Sequence, residues 1–415
     1  MKAFLPGLRL SAPRGGWLRR DLWLRWGVTV WAVLFLAIAG RVIFSKPRSH
    51  TVYPIYTTAA GNWLAGKNLY LHTEPGLDVY RYHPAFAATF YPWALLPEKL
   101  GEVLWRGLNA GVFLLGLGAW ARRVLPEHMS ERRFGLLLLL TVPLSLHSLN
   151  NGQANLLLIG LLMLGTADAA RRRWTRASGW VALATVLKVY PLALGLLLAA
   201  LYPRRFLPRY LLWLAAGFAV PFLLQRPEYV LDQYRWWVEA ARIDDRLAAP
   251  LERCTVDAYM VCRVWLGEPP RALYRAAQLA AAGLIALICL RRQRQGAPAR
   301  ALLAPTFHLA CLWMLLFGPA TESCTYTLLA PTLAAVLLLP PPGRTRPAWA
   351  ALAAACGLLL YQTLAGALPK PLRPGPLALQ PVAALLVAAV VAREAVARPG
   401  RQSGREAVAS GGASV

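Results

Sequence analysis

Residues 177–201 read "ASGWVALATVLKVYPLALGLLLAAL", and the number of times they cross a bilayer decides the architecture of the chain. Their length would allow one crossing, since a hydrocarbon core of ~30 Å takes about 20 apolar residues as a helix. Two features argue against that. Lys188 and Pro191 stand in the middle, and a proline removes a rung of the helical ladder and clashes with the turn before it. The flanks, "RRRWTR" at 171–176 and "YPRRFLPR" at 202–209, are both basic, and basic flanks mark the cytoplasmic side of a membrane. The stretch therefore reads as two half-length helices that dip in and return.

Working outward, further apolar runs of membrane-spanning character occupy 23–43, 102–121, 134–149, 153–170, 208–225, 272–290, 301–318, 324–339, 347–367 and 377–392. Counting the two halves separately, the expectation is an all-α integral membrane protein: a polytopic bundle of about 12 helices spanning 23–392, with both termini cytoplasmic. A basic arm (1–22) precedes it, and a tail rich in Gly, Ser and Ala (393–415) is expected to be disordered. The first apolar run is longer than the ~7–15 residues of a cleaved leader, so it reads as an uncleaved anchor.

The chain has 415 residues, is 57% hydrophobic and carries 45 basic against 19 acidic side chains. The topology sorts 27 basic and 6 acidic residues to the inner face, 17 basic and 13 acidic ones to the outer face, and leaves Lys188 in the membrane. Charge asymmetry of this kind, with short basic clusters between apolar spans, is the signature of anionic lipid at the inner face. It accounts for the net charge of +26 without a nucleic-acid partner. No phosphate-cradling Gly-x-x-x-x-Gly-Lys-Ser/Thr loop occurs, and no soluble segment is large enough for a nucleotide-binding fold.

Two external loops, 44–101 and 226–271, are long enough to hold structure, and they contain most of the acids. Most of these carboxylates are expected simply to solvate loop surfaces. "YHPAFAATFYPWALLPEKL" and "YVLDQYRWWVEAARIDDRL" have helical spacing, the first suiting a helix laid along the membrane interface. Cys289, Cys311, Cys324 and Cys356 read as small apolar core residues. Cys254 and Cys262 share the second loop, which leaves a disulfide open. His50, His72 and His83 form no recognisable metal set.

The polar anomalies are "SLNNGQANLLLIG" (148–160) and Lys188. Amide groups placed among leucines cost free energy unless they are bonded. Asn151, Gln153 and Asn155 therefore either cap and bridge helix ends or line a cavity that binds sugar hydroxyls or phosphate. Lys188 needs an anionic partner or a wet cavity.

Several short elements in order resemble glycosyltransferase family 87, the polyprenyl-phosphate-mannose-dependent mannosyltransferase type of the GT-C superfamily. "YTTAAGNWLAGKNLY" (Tyr56, Ala60, Leu64, Gly66, Leu69, Tyr70) is similar to the family's first-loop pattern, followed by "YRYHPAF" (Tyr82, Pro84) and "LLPEKLGEVLW" with Asn109. "NGQANLLL" is similar to its Gly-Gln-x-Asn signature, and "LKVYP" to its Lys-x-x-Pro. The likeness covers about residues 50–225.

The resemblance implies a GT-C-like bundle that moves a hexosyl unit, mannose being the family's sugar, from a polyprenyl-phosphate donor to a lipid or glycan acceptor on the external face of the cell membrane. It implies inversion by a single displacement, with no cofactor beyond the lipid-linked donor. Lys188 and Arg81 would meet the phosphate without a metal. Gln153, Asn155, Asn151 and Tyr82 would line the site. The sequence departs from the family in one respect: the stretch that carries its general-base Asp reads "SHTVYPIY" (49–56) and holds no acid. Asp78, Glu74 and Glu322 are the candidate replacements, with burial expected to raise the Glu322 pKa. Alternatively, Glu322 caps the following helix, and the protein binds or moves a lipid-linked sugar without transferring it.

Overall fold

The structure, a computed structural model, describes residues 20–46, 51–71, 77–125, 129–368 and 377–397. Most of the basic arm, the tail beyond 397, His50, His72 and Glu74 fall outside them. In chain order the helices are α1 (Leu22–Phe44), α2 (Tyr53–Leu64), α3 (Pro84–Ala94), α4 (Glu98–Arg123), α5 (Glu131–Asn151), α6 (Asn155–Ala170), α7 (Trp174–Leu187) and α8 (Leu192–Leu201). They continue as α9 (Leu207–Leu224), α10 (Pro227–Ile243), α11 (Ala258–Trp265), α12 (Arg271–Arg294), α13 (Ala299–Phe317), a 3-10 segment Ser323–Leu329 running into α14 (Ala330–Leu338), α15 (Arg346–Ala367) and α16 (Leu379–Val396). No strand occurs among the described residues.

Eight of these helices are long and apolar enough to cross a membrane, and α6, α8 and the Ser323–Leu338 unit are shorter apolar helices. With α7 they account for every membrane segment expected from the sequence. The 177–201 stretch breaks where it should: α7 stops at Leu187, Lys188 is extended (φ −143°, ψ 144°), and α8 resumes after Pro191. The Trp174 and Tyr202 rings lie 4.6 Å apart. The pair therefore enters and leaves at one end of the bundle.

At the centre, α6 buries nearly every residue, as a helix apolar all round must. It runs parallel to α4 at glycine-limited distance: a β-carbon on Gly116 would sit 2.4 Å from the Gly160 carbonyl, and one on Gly160 2.6 Å from the Val112 carbonyl. Small residues that let backbones approach are what hold helices together where lipid removes the hydrophobic drive. Similarly, α1 docks on α5 through Gly27 and Gly135, and Trp31 Nε1 donates to the Leu138 carbonyl at 2.9 Å. The first apolar run is thus an integral part of the bundle. By contrast α9 buries only Tyr210 and Pro221 and leaves Leu211, Leu212 and Leu223 exposed, a lipid-facing surface.

α3 is a packed element of the bundle: it buries Pro84, Ala85, Phe86, Ala87, Ala88 and Phe90 against α2, α4, α7 and α9, because its apolar residues cover more than one face. Cys254 and Cys262 are free thiols, like the other cysteines.

Candidate active site

The site end of the bundle is built on a knot of aromatic side chains. Tyr56, on α2, meets Tyr82, Phe86, Phe90 and Trp105 edge-on, with ring centroids 5.0 to 5.9 Å apart. Its hydroxyl is 2.8 Å from that of Tyr82. Tyr70 Oη donates to the Tyr82 carbonyl at 2.9 Å. The first-loop pattern seen in the sequence thus fixes Tyr82. The second loop packs over the first: Gln233 Oε1 accepts from the Leu69 amide at 3.0 Å, and Tyr229 donates to the Lys67 carbonyl at 2.7 Å. His83 is no ligand, since its Nδ1 accepts from the Ala85 amide at the start of α3. Burial drives its pKa down to about 4.

The amide-rich junction of α5 and α6 divides its groups between two tasks. Gly152 is left-handed (φ 68°), closing α5 with the Gln153 amide donated to the Ser148 carbonyl. A β-carbon there would also press on the Arg106 guanidinium at 3.2 Å. Asn150 and Asn151 contribute backbone: the Asn150 carbonyl accepts from Arg41 and Arg106, and that of Asn151 from the Val52 amide. Among the described residues the Asn151 side chain makes no hydrogen bond, so its expected place in the site is not borne out by contact. Gln153 and Asn155 do enter the site. Gln153 Nε2 donates to Glu322 Oε2 at 3.0 Å. Asn155 Oδ1 accepts from Lys188 Nζ at 3.2 Å and from Tyr190 Oη at 3.1 Å.

From Glu322 the network continues outward. Arg246 Nη1 donates to Glu322 Oε1 at 2.8 Å and lies 3.6 and 3.8 Å from Asp244 and Asp78. Arg81 grips both oxygens of Asp78, at 2.7 and 3.1 Å, and Asp244 at 2.5 Å. Asp78, Arg81, Tyr82, Gln153, Asn155, Lys188 and Glu322, seven of the nine residues expected at the site, are therefore assembled in one place. Arg246 was missed: one arginine in a basic loop carries no local signal. Also unforeseen is the Glu102–Arg106 pair (3.0 Å) inside α4, which bonds Thr51 within the acid-free "SHTVYPIY" stretch.

The electrostatics set the roles. Burial pushes the Glu322 carboxyl up, but Lys188, Arg246 and Gln153 outweigh it, and the net pKa lies below the usual value. The expected upward shift is thus reversed, because the counter-charges on the second loop and at the helix break were not visible in sequence. Glu322 also closes a capping box with Thr325, so the helix-capping role holds as well. Asp78 is likewise lowered, burial being outweighed by Arg81 and Arg246, and its side chain is 57% exposed. Lys188 is different from every other cation here. Its Nζ lies over the Tyr82 and Tyr190 rings, at 5.1 and 5.7 Å, and among the described residues bonds only the neutral Asn155. Among the described residues it has no carboxylate at ion-pair distance.

The sequence profile of glycosyltransferase family 87 matches residues 80–319. The chain belongs to that family. The family 87 match begins beyond the Tyr56–Tyr70 pattern and extends past residue 225, through the second loop and α13. It takes in Tyr82, Gln153, Asn155, Lys188 and Arg246 and stops just short of Glu322. A membrane glycosyltransferase is accordingly the activity this site must explain. Two crystal structures of ArnT from Cupriavidus metallidurans are similar in architecture. One, bound to undecaprenyl phosphate, has 18% identity over 89% of this chain and 78% of that chain, with a TM-score of 0.37. The other, in the apo state, has 17% identity over 90% and 78%, with a TM-score of 0.38. No curated protein matches the chain.

Proposed function

We propose that the protein transfers a hexosyl unit, mannose being the first candidate, from a polyprenyl-phosphate donor to a lipid or glycan acceptor. The observation that carries this reading is Lys188: a partly buried ammonium whose partners among the described residues are neutral is suited to meet an anion. A phosphate set between Lys188 and Arg246 gains charge as it leaves, and fixed cations at that point lower the barrier. Arg246 binds Glu322 in the structure, and turning toward the arriving phosphate would release it. The Glu322 pKa then rises and its carboxylate becomes a better base for the acceptor hydroxyl. A single displacement at the anomeric carbon inverts its configuration. The amides of Gln153 and Asn155 are placed to meet sugar hydroxyls, Arg81 to hold the rim, and Tyr82 to floor the donor. The charge asymmetry of the loops supports placing this end on the external face of the cell membrane, with both termini cytoplasmic.

Glu322 is favoured over Asp78 as base because Asp78 is held by both arms of the Arg81 guanidinium. Glu74 lies outside the described residues. Transfer from radiolabelled polyprenyl-phosphate-mannose in proteoliposomes is expected to fall about 10²- to 10⁴-fold in Glu322→Gln and to stay near wild type in Asp78→Asn. The reverse pattern would move the base to Asp78. Donor binding without transfer in the wild-type protein would favour the non-catalytic reading, which the acid-free 49–56 stretch supports.

A further inference from the structure

A cavity rimmed by arginines lies at the opposite end of the bundle. Its volume is ≈ 330 Å³. It sits where α6 ends, α7 begins, α8 ends and α12 meets α13, lined by Arg172, Trp174, Tyr202, Arg205, Gln293 and Leu302. α6, 16 residues long with Asn155 at its first position, separates it from the transfer site by about 22 Å of helix rise, so it is independent of that site.

Three observations make it more than a basic surface. First, the loop carrying Arg172 is held in a costly shape. Arg172 is left-handed, with φ 56°, a conformation that a β-carbon disfavours and that glycine would adopt freely. Its amide donates to the Ala169 carbonyl, while the Asp168 carbonyl accepts from both Arg171 and Arg173. An outlier of this kind persists where its surroundings hold it and its side chain is wanted there. Second, the nearest buried acid is already engaged. Asp168 is bound by Arg123, Arg176 and Trp180 Nε1 at 3.5, 3.3 and 3.1 Å. The Arg172 and Arg205 side chains, both exposed, have no hydrogen bond or ion pair among the described residues. Third, the walls are amphipathic. The Trp174 and Tyr202 rings and Leu302 give an apolar side, and Gln293 Nε2 closes the wall between α8 and α12 by donating to the Leu201 carbonyl at 2.6 Å.

We propose that this cavity binds the phosphate of an anionic phospholipid headgroup. Two guanidiniums with free forks suit a phosphate diester, and the ring pair and leucine accept the first carbons of its glycerol and acyl chains. The chemistry at the arginines would also take a soluble phosphate ester, and the experiment separates the two.

Full-length protein is purified in detergent and examined by native mass spectrometry with phosphatidylglycerol, phosphatidylcholine or glycerol phosphate. Wild type is expected to retain phosphatidylglycerol over phosphatidylcholine. Arg172→Gln combined with Arg205→Gln is expected to weaken that retention about thirtyfold. Lys188→Ala is expected to leave it intact, which separates this cavity from the transfer site. Arg172→Gly relieves the left-handed strain, so it is expected to raise the thermal midpoint while weakening retention, a combination that misfolding cannot produce. Unchanged retention in the double arginine variant would overturn the proposal. So would loss of retention in Lys188→Ala alone, which would put the lipid in the transfer chamber. Displacement of the lipid by equimolar glycerol phosphate would overturn the lipid assignment in favour of a soluble ester.

Discussion

Replacing Lys188 with alanine separates a catalytic cation from a structural one, because the two roles have opposite costs. If Lys188 held the fold together as half of a buried ion pair, deleting it would leave a bare carboxylate and cost about 3–5 kcal/mol. Among the described residues Nζ bonds only Asn155 Oδ1, at 3.2 Å, and that oxygen keeps Tyr190 Oη at 3.1 Å. The expected stability loss is therefore that of one hydrogen bond, about 1 kcal/mol. Removing a partly desolvated cation costs the fold little more, but it does cost the transition state. A unit charge about 4 Å from a phosphate at an effective dielectric of 20 is worth ~4 kcal/mol. Since the leaving phosphate gains its second charge only in the transition state, most of that falls on kcat, a drop of about 10²–10³-fold. The assay is kcat and KM for sugar transfer from polyprenyl-phosphate-mannose in proteoliposomes, with thermal unfolding on the same preparations. A variant that transfers within about threefold of wild type would refute the argument. A raised KM at unchanged kcat would confine Lys188 to ground-state binding. Activity lost together with a collapsed thermal midpoint would return it to a structural role.

Arg246→Gln removes one of the two cations that outweigh burial at Glu322. The Glu322 pKa should rise, so the acid limb of kcat/KM should move to higher pH, and an unmoved limb would remove Glu322 as the base. Asp257, 2% exposed, has its pKa raised by burial from 3.8 to about 6. The folded state therefore binds its proton more tightly than the unfolded one, and stability is lost as pH rises through that interval, by at most ~3 kcal/mol. Asp257→Asn keeps the cap on the Tyr259 and Met260 amides. It should raise the thermal midpoint at pH 8 and flatten its dependence between pH 4 and 6, and a lower midpoint would reject the account. Gly160→Ala drives a methyl against the Val112 carbonyl. It should cost about 1–3 kcal/mol, read as a lower thermal midpoint and lower yield of folded protein.

The fold was legible because a membrane leaves few options. Length, apolar content and a mid-run Pro191 placed every span and the break at Lys188, since these depend only on neighbours in sequence. The site was legible in its residue types but not in its electrostatics. Gln153 and Glu322 are bonded across 169 positions, and Arg246 reaches Glu322 across 76. No local pattern records such pairings, so the sign of the Glu322 shift could not be read. Asn151, Gln153 and Asn155 all read as candidates for the site, whereas the left-handed turn at Gly152 leaves Asn151 contributing backbone and sends the other two into the chamber. Polarity was visible in sequence, but which polar atom is used was not.

That division also explains why the chamber tolerates so much charge. At the junction, Trp105 Nε1 donates to the Gly152 carbonyl at 2.8 Å and Asn109 Oδ1 accepts from the Leu157 amide at 3.2 Å, so the helix ends are satisfied without water. What remains is a set of three cations (Lys188, Arg246, Arg81) facing three carboxylates (Glu322, Asp244, Asp78). Under the proposed transfer the donor enters as a phosphodiester with one negative charge, and its phosphate leaves as a monoester with close to two. In the same step Glu322 takes the acceptor's proton and becomes neutral. The total charge in the chamber is therefore unchanged as the bond breaks, and the charge only moves, from Glu322 to a phosphate held by Lys188 and Arg246. In a poorly solvated site a displaced charge costs far less than a created one. A base on the solvent-exposed rim at Asp78 would place the lost charge where water already screens it and would forgo that advantage.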